Sequence, residues 1–301
     1  TIYRSVLNTY SSTDDVQIQC DALTGVVALE GEQALETLLV GMSNPSKEYR
    51  NVVLKLAQTI PGNKATWQWI EKSKSVAPDV RAEIIAYLGM RGDQIALPTL
   101  LEALNDPDAK VKTEALTASF RLGGLESVPY YSPLLRTDNA ELIQAVKATL
   151  LQVPGDYLLT TISYILPTVS IPAKVALLEI IGQRKADLFF SDVMGYTEDT
   201  EPPVRMAAIQ ALQELGSPET VTDLMTLLVK TSGEEAAATE KALYAAIDTL
   251  GSSQEKVDCL VKAFAEVSSD KKVHLLNLLG KIRGEFALAA TLPFLCNPNL
   301  K

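Results

Sequence analysis

The sequence predicts an all-α protein, folded as a right-handed α-solenoid of about nine and a half helical hairpins. Three observations predict this class: a pattern that repeats every 31 residues, apolar residues at helical spacing within each repeat, and no recurring alternation of apolar and polar residues. A hairpin this small cannot bury its apolar face alone, so neighbouring hairpins are expected to stack and share one core.

The repeat is clearest when positions 31 residues apart are compared, starting from Val80 as the anchor. The equivalent anchors are Ile18, Tyr49, Val111, Leu142, Ala173 and Val204. Two looser copies are anchored near Thr239 and Lys272, after insertions of four and two residues. Six equal intervals are difficult to obtain by chance, which makes the repeat a strong indicator of the fold.

These intervals also define the expected domain organisation. We expect one repeat array over residues 1–301, with regular repeats over 1–216 and looser repeats over 217–284. Residues 285–301 read as the first helix of a truncated repeat, and residue 1 is not Met. Both features favour a fragment of a longer protein over a mature form.

The second helix of each repeat begins near its anchor. Apolar residues fall at the anchor and four, five and eight positions later, which gives each helix one buried stripe. Glycine follows most anchors by twelve or thirteen residues, where a left-handed backbone can end a helix at little steric cost. These glycines are Gly31, Gly62, Gly92, Gly123, Gly155, Gly216, Gly251 and Gly284.

The first helix of each repeat lies upstream, in apolar-periodic segments such as 96–108 and 217–229. Helix starts carry candidate caps: Asp106 precedes a proline, which has no amide hydrogen to satisfy, and Ser252 stands at capping-box spacing from Glu255. Each repeat is therefore expected to be a helix, a turn and a second helix.

Residues 97–123, with the sequence LPTLLEALNDPDAKVKTEALTASFRLG, resemble the short HEAT-type repeat of bacterial phycobilisome-lyase-like arrays. The resemblance covers nearly the whole chain and is strongest from Glu32 to Gly216. It implies the solenoid fold. For function the resemblance implies only a set of possible roles, which includes scaffolds, adaptors, chromophore lyases and appendages of larger enzymes.

Composition excludes several classes of protein. With 47% apolar residues the chain can bury a large core, and three cysteines in 301 residues cannot form a disulfide framework. A net charge of -10 disfavours nucleic acid as a partner. The longest uncharged stretch, 157–173, contains Pro167 and Pro172, so we expect no membrane span and a soluble protein.

The residues that usually carry out catalysis or bind metals are sparse. His274, the single histidine, has no Cys, Asp or Glu at ligand spacing on its own helix and is expected at the surface. Cys20, Cys259 and Cys296 occupy different phases of the repeat and are interpreted as small packed residues. We therefore expect no catalytic residues, no cofactor and no metal, and conclude that these residues do not form an enzyme.

Cations follow the anchors of five regular repeats, at Arg50, Arg81, Lys112, Lys174 and Arg205. A row of this kind could grip an acidic partner. We prefer a structural interpretation, which the resemblance also implies. Each cation would pair with acidic residues of neighbouring turns, such as Asp79, Asp108, Asp138 and Glu201.

The outward positions of the second helices are the best candidate for a binding surface. They mix apolar and polar side chains, which suits a groove for a peptide, because Met and aromatic residues contribute strongly to interfaces. The candidate protein-binding residues are Met90, Phe120, Arg121, Leu151, Gln152, Met206, Gln210 and Gln213.

Three aromatic pairs lie in the first helices: Trp67 with Trp69, Tyr130 with Tyr131, and Phe189 with Phe190. One member of each is expected to pack inward. The two tryptophans are two residues apart and so lie on different faces of a helix, which argues against one stacking platform for sugars or bases.

These observations predict a non-catalytic interaction or scaffold module, whose curved face binds a protein or peptide, or another domain of the same chain. Two alternatives stay open. The chain could be an accessory repeat domain of a larger bacterial envelope or glycan-processing enzyme, or a chromophore-lyase-like enzyme. The partner, the oligomeric state and the compartment are not predicted, although the bacterial envelope or periplasm is a candidate compartment.

Overall fold

The computed structural model describes residues 2–10, 15–155, 157–264, 269–282 and 284–295. Within these ranges the regular structure is entirely helical and contains no strand, which confirms the all-α prediction. The chain forms two compact units, Thr1–Val153 and Pro154–Lys301. None of the helices formed by the described residues is long and apolar enough to cross a bilayer.

The first unit contains five successive pairs of elements. They are α1 (Ile2–Tyr10) with α2 (Val16–Glu30), α3 (Leu35–Gly41) with α4 (Lys47–Ala57), α5 (Asn63–Lys74) with α6 (Pro78–Arg91), α7 (Leu97–Ala103) with α8 (Ala109–Gly123), and a 3₁₀-helix (Gly124–Arg136) with α9 (Ala140–Leu151).

The second unit contains four hairpins and one further helix. They are α10 (Tyr157–Ile165) with α11 (Ile171–Gln183), α12 (Phe190–Gly195) with α13 (Pro202–Leu215), α14 (Val221–Lys230) with α15 (Gly233–Asp248), α16 (Ser253–Phe264) with α17 (Ser269–Lys281), and α18 (Glu285–Leu295). The rest of the predicted last helix, 296–301, lies outside the described residues.

Within each unit most second helices lie beside the second helix of the next hairpin, as a solenoid requires. In the first unit α2 packs against α4 and α6 against α8, and in the second α11 packs against α13 and α13 against α15. The repeat anchors lie mostly in these contacts. Val111, Ala173 and Val204 are fully buried, whereas Val80 is half-buried and Ile18 is exposed near the start of the first unit.

The fifth hairpin departs from the predicted pair of α-helices. Its first element is the long 3₁₀-helix Gly124–Arg136, which contains Pro129 and Pro133. Each proline removes a backbone donor and clashes with the preceding turn of an α-helix. The two prolines, four residues apart, therefore account for the tighter helix at a position where the repeat predicts an α-helix.

The helix starts are capped, but not always by the predicted residue. Ser252 and Glu255 form the expected capping box. Asp106 does not cap α8. Asp108 does, because its carboxylate accepts hydrogen bonds from the amides of Lys110 and Val111. Asp106 instead accepts from the amide of Asp108 and pairs with a guanidinium of the preceding hairpin.

Glycines end several helices as predicted, for example Gly92 with φ +82° after α6. Gly216 was expected to do the same but has φ -64°, so its backbone is not left-handed. A Cβ added to Gly216 would lie 3.0 Å from the Cβ of Ala246, so this glycine allows α13 to approach α15 closely. Between α11 and α12 the left-handed residue is Lys185 (φ 51°) instead of a glycine.

Two glycines in the interior of second helices also lie against a neighbouring helix. Gly89 of α6 faces Ala118 of α8, and Gly182 of α11 faces Ala211 of α13, at equivalent positions of the repeat. A Cβ added to Gly89 would lie 2.4 Å from the Cβ of Ala118 and 2.7 Å from its Cα. These glycines therefore allow neighbouring repeats to pack backbone against backbone.

Candidate functional site

Most of the cations that follow the repeat anchors form ion pairs with acidic side chains of the same unit. Four of the five form ion pairs within their own unit, which confirms the structural interpretation for those four. The pairs are Arg50 with Glu83 (2.7 Å), Arg81 with Asp106, Lys174 with Asp199 (3.0 Å) and Arg205 with Glu235 (2.9 Å).

The acidic partners are not the four that the sequence suggested. Asp79 pairs with Lys110 at 3.0 Å, and Asp108 caps α8. The predicted partners were expected in the interhelix turns, whereas Glu83 lies in the second turn of α6 and Glu235 in the first turn of α15, each on the second helix of the next hairpin. Lys112 is half-buried and forms no ion pair among the described residues.

Two of these arginines make the same backbone contacts in the two units. Nη1 of Arg50 donates to the carbonyl oxygens of Asn44 and Pro45, each at 2.9 Å. Nη1 of Arg205 donates to those of Asp199 (3.0 Å) and Thr200 (3.1 Å), again six and five residues earlier in the chain. The guanidinium groups therefore satisfy turn carbonyls and are not available to grip a partner.

The predicted binding residues of the first unit lie on three second helices. Met90 lies on α6, Phe120 and Arg121 on α8, and Leu151 and Gln152 at the end of α9. None is buried: Met90 is 58% exposed, Arg121 and Gln152 are exposed, and Phe120 and Leu151 are half-buried. Met90 adjoins the Gly89 contact with Ala118, so α6 and α8 present Met90 and Phe120 close to their crossing.

The other three predicted residues, Met206, Gln210 and Gln213, all lie on α13 in the second unit. Their spacing of four and three residues places them on one face of the helix. The two glutamines are exposed, and Met206 is half-buried beside Pro203 in a shallow depression. The eight residues are thus surface residues of two separate units.

Two of the three cysteines, Cys20 and Cys259, lie among the described residues. Burial is the main cause that raises the pKa of the thiols of Cys20 and Cys259, which keeps both protonated at neutral pH. Cys296 lies outside the described residues. Within the described part of the chain, no three His, Cys, Asp or Glu side chains come together as metal ligands.

His274 is not a free surface residue, in contrast to the prediction. Its side chain is 26% exposed, and its Nδ1 lies 3.0 Å from a carboxylate oxygen of Glu240 on α15. Nζ of Lys281 lies 3.0 Å from the other oxygen and also over the ring of Tyr244. The prediction considered only the helix that contains His274, whereas its partner lies 34 residues away on the neighbouring second helix.

The buried Glu240 carboxylate makes the stability of the folded protein depend on pH in the acid range. Burial by itself would raise the pKa of Glu240, but hydrogen bonds and charge from His274 and Lys281 outweigh it, so this pKa lies below its usual 4.5. A carboxyl whose pKa is lower in the folded state stabilises the fold above its unfolded pKa. That stabilisation is lost as the pH falls through the folded pKa.

We therefore expect the melting temperature of the protein to decrease when the pH is lowered below about 4.5. Glu240→Gln should make the melting temperature depend less on pH in this range. At neutral pH the Glu240→Gln variant should be less stable than the wild type, and the two curves should converge in acid. Differential scanning calorimetry between pH 3 and pH 7 measures both effects. Parallel curves would show that Glu240 is not the group responsible.

The aromatic pairs follow the prediction that one member packs inward. Trp69, Tyr131 and Phe190 are buried, and the ring of Trp69 lies 5.0 Å from that of Tyr87. Trp67 is 51% exposed instead, in a depression of about 700 Å³ that α5 forms with Leu39 of α3. Trp67 was not among the predicted binding residues, although its position two residues from Trp69 places the two side chains on different faces of α5.

Comparison with known proteins identifies one family. The family model described as HEAT repeats matches residues 68–151 and 170–244, more than half of the chain. No curated protein sequence matches the chain.

Several solved structures are similar to the chain at low sequence identity. Human deoxyhypusine hydroxylase in complex with glycerol is 16% identical, with 81% of this chain and 95% of that chain covered and a TM-score of 0.36. YibA of Escherichia coli is 14% identical, with 80% and 91% covered and a TM-score of 0.43. The complex of CpcE and CpcF of phycocyanin lyase from Nostoc sp. is 18% identical, with 85% and 92% covered and a TM-score of 0.29. We draw no functional conclusion from similarities of this size.

Proposed function

Since this chain belongs to the HEAT-repeat family, we propose that it is a non-catalytic interaction module that binds a protein segment or a neighbouring domain. The observation that supports this proposal is the mixed surface that α6 and α8 present at Met90 and Phe120. Met90 is exposed on α6 and Phe120 is half-buried on α8, and Met and aromatic side chains are typical of adaptable interaction surfaces.

The polar chemistry of the described residues supports the same proposal. Four of the five cations that follow the anchors form ion pairs, Arg50 and Arg205 also donate to carbonyl oxygens, and the thiols of Cys20 and Cys259 are held protonated. Neither leaves an activated nucleophile or an unused charge row that would suggest catalysis.

The experiment uses the intact protein as bait in the cells that encode it. A variant with Met90→Glu and Phe120→Glu should lose its specific partners by about tenfold or more, because an introduced carboxylate would have to be desolvated at the interface. Leu188→Glu is the matched control, since Leu188 is 89% exposed and lies on the second unit. Quantitative mass spectrometry of the captured proteins compares the three baits.

Partners lost only from the Met90 and Phe120 variant would support the proposal, and identical captures from all three baits would contradict it. Catalysis is tested separately by incubating the protein with a bilin and an acceptor protein. We expect no change in absorbance. A new bound-bilin absorbance band would contradict the non-catalytic proposal and favour a chromophore lyase.

A further inference from the structure

The exposed face of α5 is a second surface, separate from Met90 and Phe120. Lys64, Trp67, Gln68, Glu71 and Lys72 follow one another at intervals of three, one, three and one residues, so they form a single stripe along the helix. Leu39 of α3 lines the same depression. The opposite side of α5, with Trp69 and Ile70, is buried in the core.

The indole of Trp67 provides the largest exposed apolar area of this stripe. Surface apolar residues are common when scattered singly, but here the indole lies beside Leu39 in the same depression. Tryptophan is also the residue type most enriched among those that dominate binding energy. The depression therefore provides an anchor point for one large apolar side chain of a partner.

The charges around Trp67 indicate what kind of partner would fit. Lys64 and Lys72 lie at the two ends of the stripe and form no ion pair among the described residues, whereas Glu71 is already paired with Lys74 at 2.8 Å. The stripe thus offers two unpaired cations on a protein whose net charge is -10. An acidic partner segment complements this arrangement.

A lysine at position 64 does not stabilise the helix that contains it. It lies in the first turn of α5, which contains no acidic residue, and the positive end of the helix dipole disfavours a cation there. Lys72 lies in the last turn, where a cation is favoured. Lys64 therefore carries a small cost in the free protein that binding of a carboxylate would offset.

The spacing of the two cations defines the spacing of the acids. Eight residues of helix place Lys64 and Lys72 about 12 Å apart along the axis, at a rise of about 1.5 Å per residue. An extended peptide covers that distance in about four residues, at roughly 3.3 Å each. Its alternate side chains point to the same side, so two acidic residues four positions apart would reach Lys64 and Lys72, and the apolar side chain between them would reach the depression that Trp67 and Leu39 line.

We propose that this stripe of α5 binds an extended acidic peptide segment, with one large apolar side chain over Trp67 and carboxylates beside Lys64 and Lys72. A polyanionic nucleic acid or an anionic membrane fits less well. The stripe holds only two unpaired cations, whereas a nucleic acid or an anionic membrane presents an extended array of phosphates that two cations do not neutralise.

The test uses a short fluorescein-labelled peptide with glutamate, leucine and glutamate at alternate positions, titrated with the intact protein by fluorescence anisotropy. We expect binding that weakens as salt is raised. Trp67→Ala, Lys64→Glu and Lys72→Glu should each weaken it by about tenfold or more. Peptides with lysine in place of glutamate, or alanine in place of leucine, should bind at least about tenfold more weakly.

Two controls separate binding from folding. Lys55→Glu makes the same change in net charge at an exposed position of α4 and should leave binding unchanged. Lys64→Glu should weaken binding as stated above and yet raise the thermal midpoint slightly, because it replaces a cation with an anion at a helix N-terminus. Loss of peptide binding in a variant that is at least as stable as the wild type cannot be attributed to misfolding.

The proposal is overturned if the glutamate peptide does not bind, if the lysine peptide binds equally well, or if Trp67→Ala has no effect. It is also overturned if single-stranded DNA or vesicles of anionic lipid bind this stripe more tightly than the peptide and lose binding in the same variants. None of these results depends on Met90 and Phe120, so the proposed function is tested independently.

Discussion

Replacing Arg50 with methionine is expected to lower the free energy of unfolding of the first unit by about 3–5 kcal/mol. The Arg50 and Glu83 side chains are only 9% and 13% exposed, and two nitrogens of the guanidinium donate to the two carboxylate oxygens at 2.7 and 2.8 Å. Removing the cation leaves the Glu83 carboxylate buried without its partner. It also leaves the carbonyl oxygens of Asn44 and Pro45 without this donor.

Three variants show whether the effect belongs to the buried pair. Arg136→Met removes the same charge from an exposed position and should change stability by less than about 0.5 kcal/mol. Arg50→Lys should fall between them, because an ammonium cannot reproduce the planar set of four hydrogen bonds. The double variant Arg50→Met with Glu83→Met should recover much of the loss, since no charge is then left buried.

Urea denaturation followed by tryptophan fluorescence measures these free energies, because both tryptophans, the exposed Trp67 and the buried Trp69, lie in the same unit. If Arg50→Met were no less stable than Arg136→Met, the pair would not contribute to the fold as described. If the double variant were no more stable than Arg50→Met, unpaired Glu83 would not be the cause of the loss.

Replacing Gly89 with alanine is expected to cost about 2 kcal/mol, although alanine is ordinarily the better helix former. The added methyl group would lie 2.4 Å from the Cβ of Ala118 and 2.7 Å from its Cα. A backbone atom cannot move away by a change of rotamer, so α6 and α8 would have to separate along their contact. The loss of packing then exceeds the gain of about 1 kcal/mol in helix propensity.

The repeat supplies a graded series for this prediction. Gly182→Ala at the equivalent contact should cost less, because its Cβ would lie 3.0 Å from the Cα of Ala211. Gly280→Ala in α17 has no atom within 4 Å of the added Cβ and should be neutral or stabilising. Urea denaturation followed by far-ultraviolet circular dichroism ranks the variants. Equal stability of Gly89→Ala and Gly280→Ala would contradict the proposed close packing.

The sequence predicted the helical repeat well because that prediction depends on local physics. A helix that packs on a core has apolar residues every three or four positions, and a repeat has the same pattern again at a fixed interval. Both patterns can therefore be read from the linear sequence. The predicted burial of one aromatic residue in each pair followed from the same periodicity. The 3₁₀-helix before α9 was missed because the repeat was given more weight than Pro129 and Pro133.

The candidate site was less predictable, because it depends on contacts between repeats. The sequence showed that Arg50 and Arg205 would pair with acids but selected the wrong acids, since Glu83 and Glu235 reach them from the next hairpin. His274 was expected at the surface for the same reason, although Glu240 lies on the neighbouring helix. The unpaired cations beside Trp67 became visible only when the other charges had been assigned to partners.

The amino-acid sequence by itself determined the class of fold, the number and phase of the hairpins, and the side of most second helices that faces the core. Those properties follow from the spacing of residues along the chain. Only the tertiary structure decided which charges are paired, which glycines allow close packing and which aromatic side chain is left as an anchor. These depend on side chains about thirty residues apart that meet when hairpins stack, and the spacing within one helix does not record which of them will touch.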